Sequence, residues 1–182
     1  MDNKLNLTEK TVSCEERYAG KILKLRIDKA LLPNGKIVER EVVDHCPCAA
    51  VLAMDNRNNV LAVTQYRYAL GRDLLEIPAG KLEKDEDPVS GALRELREEV
   101  GAVPDEFLPL GRIYTSAGFS NEQIYLFLAR GLHLGDTSPD EDEFLIQERI
   151  PFDEMVHRVM SGEIEDAKTV AAVLKAKVLL NL

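Results

Sequence analysis

The sequence predicts a mixed α/β fold, with a mixed sheet packed between helices and a small antiparallel β-sheet ahead of it. Three observations predict this. Residues 11–44 consist of short β-like runs separated by turn chemistry, without helical periodicity. Later strands and helices follow one another without regular alternation, which argues against a doubly wound nucleotide-binding sheet. A chain of 182 residues, 45% hydrophobic and 30% charged, has material for one well-buried core and a composition that is neither disordered nor fibrous.

In chain order, Pro33-Asn34-Gly35 supplies a turn between strands 24–32 and 37–43, and the boundary of this first region falls near Asp44, dividing 1–44 from 45–182. Cys46-Pro47-Cys48 leads into strand 49–54, which the polar turn 55–59 joins to strand 60–66 as a hairpin. A short strand, 74–77, is broken by Pro78 and Gly80, and a polar loop, 81–86, follows. The clearest helix comes next. Asp87 stands as its N-cap, Pro88 suits the first helical position and Gly101 terminates it, while Val89, Ala92, Leu93, Leu96 and Val100 recur on one apolar face. Residues 108–115, 123–129 and 143–150 read as strands, and 152–160 and 167–180 as helices. Asp166 caps the last helix, whose Val170, Val173 and Leu174 face the core.

Charge narrows the function. Lysine plus arginine total 23 against 32 acidic residues, a formal charge of -9, with no basic run. A grip on a nucleic-acid backbone needs clustered cations, so no nucleic acid is expected as partner. The start, MDNKLNLTEK, lacks a signal peptide's basic and apolar regions, and no apolar run approaches the roughly 18 residues of a membrane span. The expected location is cytoplasmic, with no membrane partner. Three cysteines, Cys14, Cys46 and Cys48, lack CxxC spacing and suggest neither a disulfide framework nor a zinc ribbon, His45 notwithstanding. No glycine-rich P-loop is present, so phosphate must be held another way.

Glu95, Glu98 and Glu99 supply the alternative. At spacings of three and four residues they project from neighbouring positions beside the apolar stripe. Like charges so placed destabilise an isolated helix by roughly 0.2–0.5 kcal/mol per pair, and a divalent cation would turn that repulsion into ligation. Oxygen-only ligands favour Mg2+ or Mn2+ over zinc. Taken alone, a glutamate-rich helix face is most often merely solvated. The surrounding spacing changes that reading. Gly80, Glu86, Arg94, Glu95, Glu98, Glu99 and Gly101, with apolar Leu96 and Ala102, follow G-x5-E-x7-R-E-U-x-E-E-x-G-U, where U is apolar.

This stretch resembles the Nudix box at every fixed position. The resemblance implies an α/β/α sandwich in which Glu95 and Glu99 ligate metal, Glu98 assists them, the carbonyl of Ala79 adds an oxygen, and Arg94 with Glu86 steadies loop against helix. Clustered carboxylates of this kind hold cations that neutralise a diphosphate and activate water. Flanking segments, Glu76-Ile77-Pro78-Ala79-Gly80-Lys81, 116–122, the acidic 141–144 and 166–169, resemble the ADP-ribose pyrophosphatase subfamily. That implies hydrolysis of ADP-ribose to AMP and ribose 5-phosphate by a homodimer joined through the N-terminal sheets.

By the same resemblance, Arg67 meets substrate phosphate, Gly118 and Glu122 belong to a substrate loop, Glu141 is the water-activating base and Glu143 a further metal contact. The acidic loop is not a calcium EF-hand, because 136–140 contains Pro139 and lacks the required glycine. One position departs from the subfamily. Ala117 stands where proline usually follows the loop serine, which removes a backbone restraint without removing a catalytic group and bears on selectivity for ADP-ribose. The alternatives are hydrolysis of another nucleoside diphosphate sugar, and a binding module that senses ADP-ribose without cutting it, a class that typically loses the box carboxylates retained here. For a base at 141, Glu141→Gln slows the chemical step more than it weakens binding; unchanged kcat in that variant would shift the role to Glu143 or Asp140.

Overall fold

The computed structural model describes residues 6–138 and 144–182. Its chain divides into two compact units, Met1–Cys46 with Tyr114–Glu122, and Pro47–Ile113 with Gln123–Leu182. In the first, β1 (Lys10–Ala19), β2 (Leu23–Leu31) and β3 (Ile37–His45) form an antiparallel meander. The β2–β3 turn closes through Leu32 N–H to Lys36 O at 2.8 Å and Gly35 N–H to Leu32 O at 2.9 Å, with Gly35 at φ +84°. Asn34 Oδ1 accepts from Lys36 N–H at 3.0 Å, the local bond that suits asparagine to turns. Residues 119–121 run along β3: Val43 N–H donates to Phe119 O at 2.7 Å and Asn121 N–H to Val43 O at 3.1 Å. This long-range pairing joins a segment nearly eighty residues distant in sequence (121 against 43) to the N-terminal sheet.

The second unit is a sheet between two helical layers. Its strands are β4 (Cys48–Met54), β5 (Asn59–Arg67), β6 (Arg72–Glu76), β7 (Ala79–Lys81), β8 (Ala102–Tyr114), β9 (Gln123–Leu134) and β10 (Leu145–Pro151), in the order β10-β5-β4-β9-β8. Strands β4 and β9 are parallel while β10–β5 and β4–β5 are antiparallel, so the sheet is mixed. Strand β4 is buried on both faces. Ala49, Val51 and Ala53 pack with Ala92, Leu96 and Val100 of α1 (Pro88–Val100), whereas Ala50, Leu52 and Met54 pack with α2 (Phe152–Ser161) and α3 (Ala167–Leu180). The period-two alternation of a strand thus feeds two cores, giving the α/β/α sandwich. Among the described residues no helix is long and apolar enough to cross a membrane.

Strands β4 and β5 pair only at Ala53↔Leu61 and Met54↔Val60, then splay apart. The chain from β6 to β7 fills the fork. β6 pairs with β5 from Val63↔Glu76 to Arg67↔Arg72, and β7 pairs with β4 from Cys48↔Lys81 to Ala50↔Ala79. At its vertex Pro78, which has no N–H to offer a ladder, uses its carbonyl to accept from Val51 N–H at 2.9 Å. Strand β7 lies beyond the expected strand end at Ile77; a three-residue strand has little local signal and forms here because two diverging strands leave edges to be paired.

Helix α1 is capped as its sequence predicts: Asp87 accepts from Val89 and Ser90 N–H at 3.1 Å each. Its buried positions are Gly91, Ala92, Glu95, Leu96, Glu99 and Val100, while Val89 is 43% exposed. The buried stripe therefore includes two carboxylates and omits the valine that periodicity places in it. β8 starts at Ala102, immediately after the helix, earlier than the expected 108, because Gly101 at φ +66° turns the chain within one residue. A methyl group at 101 would combine that disfavoured φ with overlap of the Gly135 carbonyl oxygen. Gly101→Ala should therefore destabilise the protein by more than about 1 kcal/mol in urea denaturation, and an unchanged midpoint would show that this cap is dispensable.

Candidate active site

The segment linking β6 to α1 gathers the site. At its start Glu76 is 1% exposed. Arg67, at the end of β5, grips it with both sides of one guanidinium edge, Nε to Oε1 and Nη2 to Oε2, each at 2.6 Å. Lys168 of α3, itself 7% exposed, donates to the same carboxylate and to Asp166 Oδ1 at 3.0 Å. Burial by itself would raise the Glu76 carboxyl, but the Arg67 hydrogen bonds and the Lys168 charge outweigh it and hold the group below its ordinary value. The bond to Glu76 likewise raises Arg67, to which the charges of Asp166 and Glu99 add.

Asp166 caps α3, accepting from Thr169 N–H at 3.0 Å, and the Thr169 hydroxyl accepts from Ile77 N–H at 3.0 Å. The helix start is thus tied to the segment that continues into Ala79 and Gly80. Ala79 N–H donates to Glu99 Oε2 at 3.2 Å, and Glu99 is 1% exposed. Gly80 lies flat against Glu95: a methyl group there would overlap the Glu95 carboxylate. Close approach, not a special φ, explains this glycine.

Arg94 binds loop to helix. It donates from Nε and Nη2 to Glu86 at 3.0 and 3.1 Å, from Nη2 to Lys81 O at 3.1 Å, and from Nη1 to Glu95 at 2.8 Å and Glu98 at 2.9 Å. Hydrogen bonding to Arg94, then to Glu83 N–H, lowers the Glu86 carboxyl, and Glu86 in turn raises the Arg94 guanidinium. Gly91 completes the joint, since a side chain there would strike Leu82.

The structure brings Ala79, Arg94, Glu95, Glu98 and Glu99 together on one segment and one helix, and ties Arg67 to Glu76 at the start of that segment. Among the described residues, Glu95, Glu98 and Glu99 do not place one oxygen each within 4.8 Å of one another. The guanidinium of Arg94 lies between Glu95 and Glu98 and screens their repulsion. The donor chemistry fits a hard divalent cation: carboxylates only, with Gly80 leaving the room that the Glu95 carboxylate occupies. Ala79 contacts Glu99 through its N–H, so its carbonyl is a separate matter from that bond.

Gly118 and Glu122 lie in the first unit. Gly118 is exposed, with open space where a side chain would stand, so local crowding does not require glycine there. Glu122 accepts from the Thr115 hydroxyl at 2.5 Å and lies 3.5 Å from His45 Nδ1. Glu141 and Glu143 lie outside the described residues. Two buried charges, Glu76 and Lys168, join the site without belonging to the box. Their signal was an ionisable residue in an apolar strand, 74–77, and another beside the apolar stripe of α3.

Residues 44–173 match the family model of the NUDIX domain. The chain is 42% identical to the methanol dehydrogenase activator of Bacillus methanolicus, covering 91% of this chain and 90% of that protein. It is 40% identical to the ADP-ribose pyrophosphatase of Bacillus subtilis (strain 168), covering 92% of each. A solved structure of an ADP compounds hydrolase superposes with a TM-score of 0.86 over 98% of this chain and 97% of that one, at 18% identity, and shows the same fold. The chain belongs to the NUDIX domain family. Its box is the 80–102 stretch whose glycines, arginine and glutamates are described above. Gly80→Ala should leave a folded protein, judged by its thermal melt, whose Mn2+ affinity by calorimetry is weaker by about tenfold or more; equal affinity would separate Glu95 from the metal site.

Proposed function

We propose that the chain hydrolyses the diphosphate of ADP-ribose to AMP and ribose 5-phosphate with Mg2+, for which Mn2+ substitutes. The observation that carries this reading is the seating of Glu95 and Glu99 against the Ala79–Gly80 backbone, on the segment whose Glu76 fixes the cation Arg67. The B. subtilis relative, an ADP-ribose pyrophosphatase similar along nearly the whole chain, supports the substrate.

In this reading Glu95, Glu99, Glu143 and the Ala79 carbonyl hold the metal, with Glu98 assisting. When bound, the cation neutralises the diphosphate and lowers the pKa of an attacking water. Arg94 fixes the directions of Glu95 and Glu98 and offsets their charge; Glu141 takes the proton from water. Arg67 presents its guanidinium to a substrate phosphate, and Gly118 and Glu122 line the substrate loop. Residues 1–44 serve as the dimerisation element of a cytoplasmic homodimer, a role supported by the fully exposed β1 with Val12 and Tyr18 at its surface, and 45–182 form the hydrolase.

With Mg2+, ADP-ribose should yield AMP and ribose 5-phosphate by chromatography, and Glu99→Gln should abolish turnover. Turnover of another nucleoside diphosphate sugar in preference to ADP-ribose would move the substrate but keep the chemistry; near-normal activity in Glu99→Gln would remove its metal role. The B. methanolicus relative favours a second reading, activation of a methanol dehydrogenase, tested by that enzyme's rate with the chain and with its Glu99→Gln variant present.

A further inference from the structure

Arg67 and Glu76 stand on the face of the sheet that carries α1. Leu61 and Val63 of β5 pack with α1, and Arg67, an even number of residues further along the strand, faces the same way. Arginine is a long, flexible side chain, and Arg67 sits at a strand end with its side chain 40% exposed. Left to itself it would sample many rotamers. Here Nε and Nη2 are both engaged by a carboxylate with 1% exposure, a bidentate grip that fixes the guanidinium plane. Nη1 finds no acceptor among the described residues, so the outer edge of the fork remains available.

Glu76 is held in its turn. Lys168 approaches it from α3 and is itself fixed by Asp166, so Arg67 is not the only counter-ion of the buried carboxylate. A surface arginine that merely balanced a buried acid would need no second cation there. Removing any one member would leave a desolvated charge short of a partner.

From this geometry we infer that Glu76, steadied by Lys168, is a positioning residue that aims the free edge of Arg67 at the substrate diphosphate. The inference rests on the proposed reading that the substrate is a nucleoside diphosphate. Glu76 touches no reacting atom. It acts through Arg67, and so contributes chiefly to holding the phosphate.

A double-mutant cycle tests this with wild type, Glu76→Gln, Arg67→Ala and the double variant, each assayed for ADP-ribose hydrolysis and for ADP affinity by calorimetry in Mg2+. Glu76→Gln is expected to raise KM and weaken ADP by about tenfold, with kcat within about threefold. In the Arg67→Ala background the same substitution should change neither by more than about twofold. Effects that multiply across the two sites, or a fall in kcat at constant KM and ADP affinity, would overturn the inference and leave Glu76 a structural acid. If Glu76→Gln does not fold, Glu76→Gln combined with Lys168→Met removes both buried partners and carries the same expectations. A wild type inert toward ADP-ribose would refute the substrate reading alone, because ADP affinity still reports on Arg67; a wild type that binds no ADP would overturn the inference as well.

Discussion

Carboxylates are expensive to take out of water, and this protein takes out several side by side. Glu76 and Glu99 are 1% exposed and Glu95 9%. A buried carboxylate needs donors or cations to meet its oxygens. Glu76 has Arg67 and Lys168, Glu95 has Arg94, and Glu99 has the Ala79 N–H among its contacts. All three answers meet on the same short stretch of chain, 76–81, which depends on Pro78 at the vertex of a split sheet and on a glycine at 80 that lets backbone and carboxylate touch.

The rest of the larger unit follows from keeping that stretch and helix α1 in register. At the far end of α1 several carbonyls find donors: Arg97 O meets Gly101 N–H at 3.0 Å, Glu98 O meets Ser138 N–H at 2.9 Å, Glu99 O meets Gln147 Nε2 at 2.6 Å, and the O of the capping Gly101 meets Gly135 N–H at 2.7 Å. At the near end Asp87 caps the first turn. A helix fixed at both ends and packed along Ala92, Leu96 and Val100 holds Glu95 and Glu99 against the 79–80 backbone. Binding groups supported this firmly require little reorganisation when charge develops.

The smaller unit is built on a different economy. Its sheet has every residue of β1 exposed, and its internal fixtures are polar: Arg26 pairs with Asp28 and, at 2.8 Å, with Asp44, and Asn121 Nδ2 donates to Asp44 Oδ1 at 2.8 Å. Arg26 is accordingly raised, first by Asp44 and then by Asp28. The Asn121–Asp44 bond and the Val43 backbone pairing clip 119–121 to β3, so a segment carrying Gly118 and Glu122 is held by residues from the N-terminal part of the sequence.

The sequence by itself determined what repeats or is spaced locally: the β-hairpin turn at Asn34-Gly35, the caps and apolar stripe of α1, the strand 49–54 and its turn, and the box from Gly80 to Ala102 with its arginine and glutamates. Those signals are local because hydrogen-bond geometry, helical periodicity and turn dihedrals act over a few residues. Only the tertiary structure decided that Ala79–Lys81 is a strand, that Glu95 and Glu99 belong to the buried stripe while Val89 does not, that 119–121 joins the N-terminal sheet, and that Glu76 is shared by Arg67 and Lys168. Each of these depends on a partner from a distant part of the chain, a strand edge or an opposite charge. No short window of sequence contains all the groups of such an interaction, so folding alone completes it.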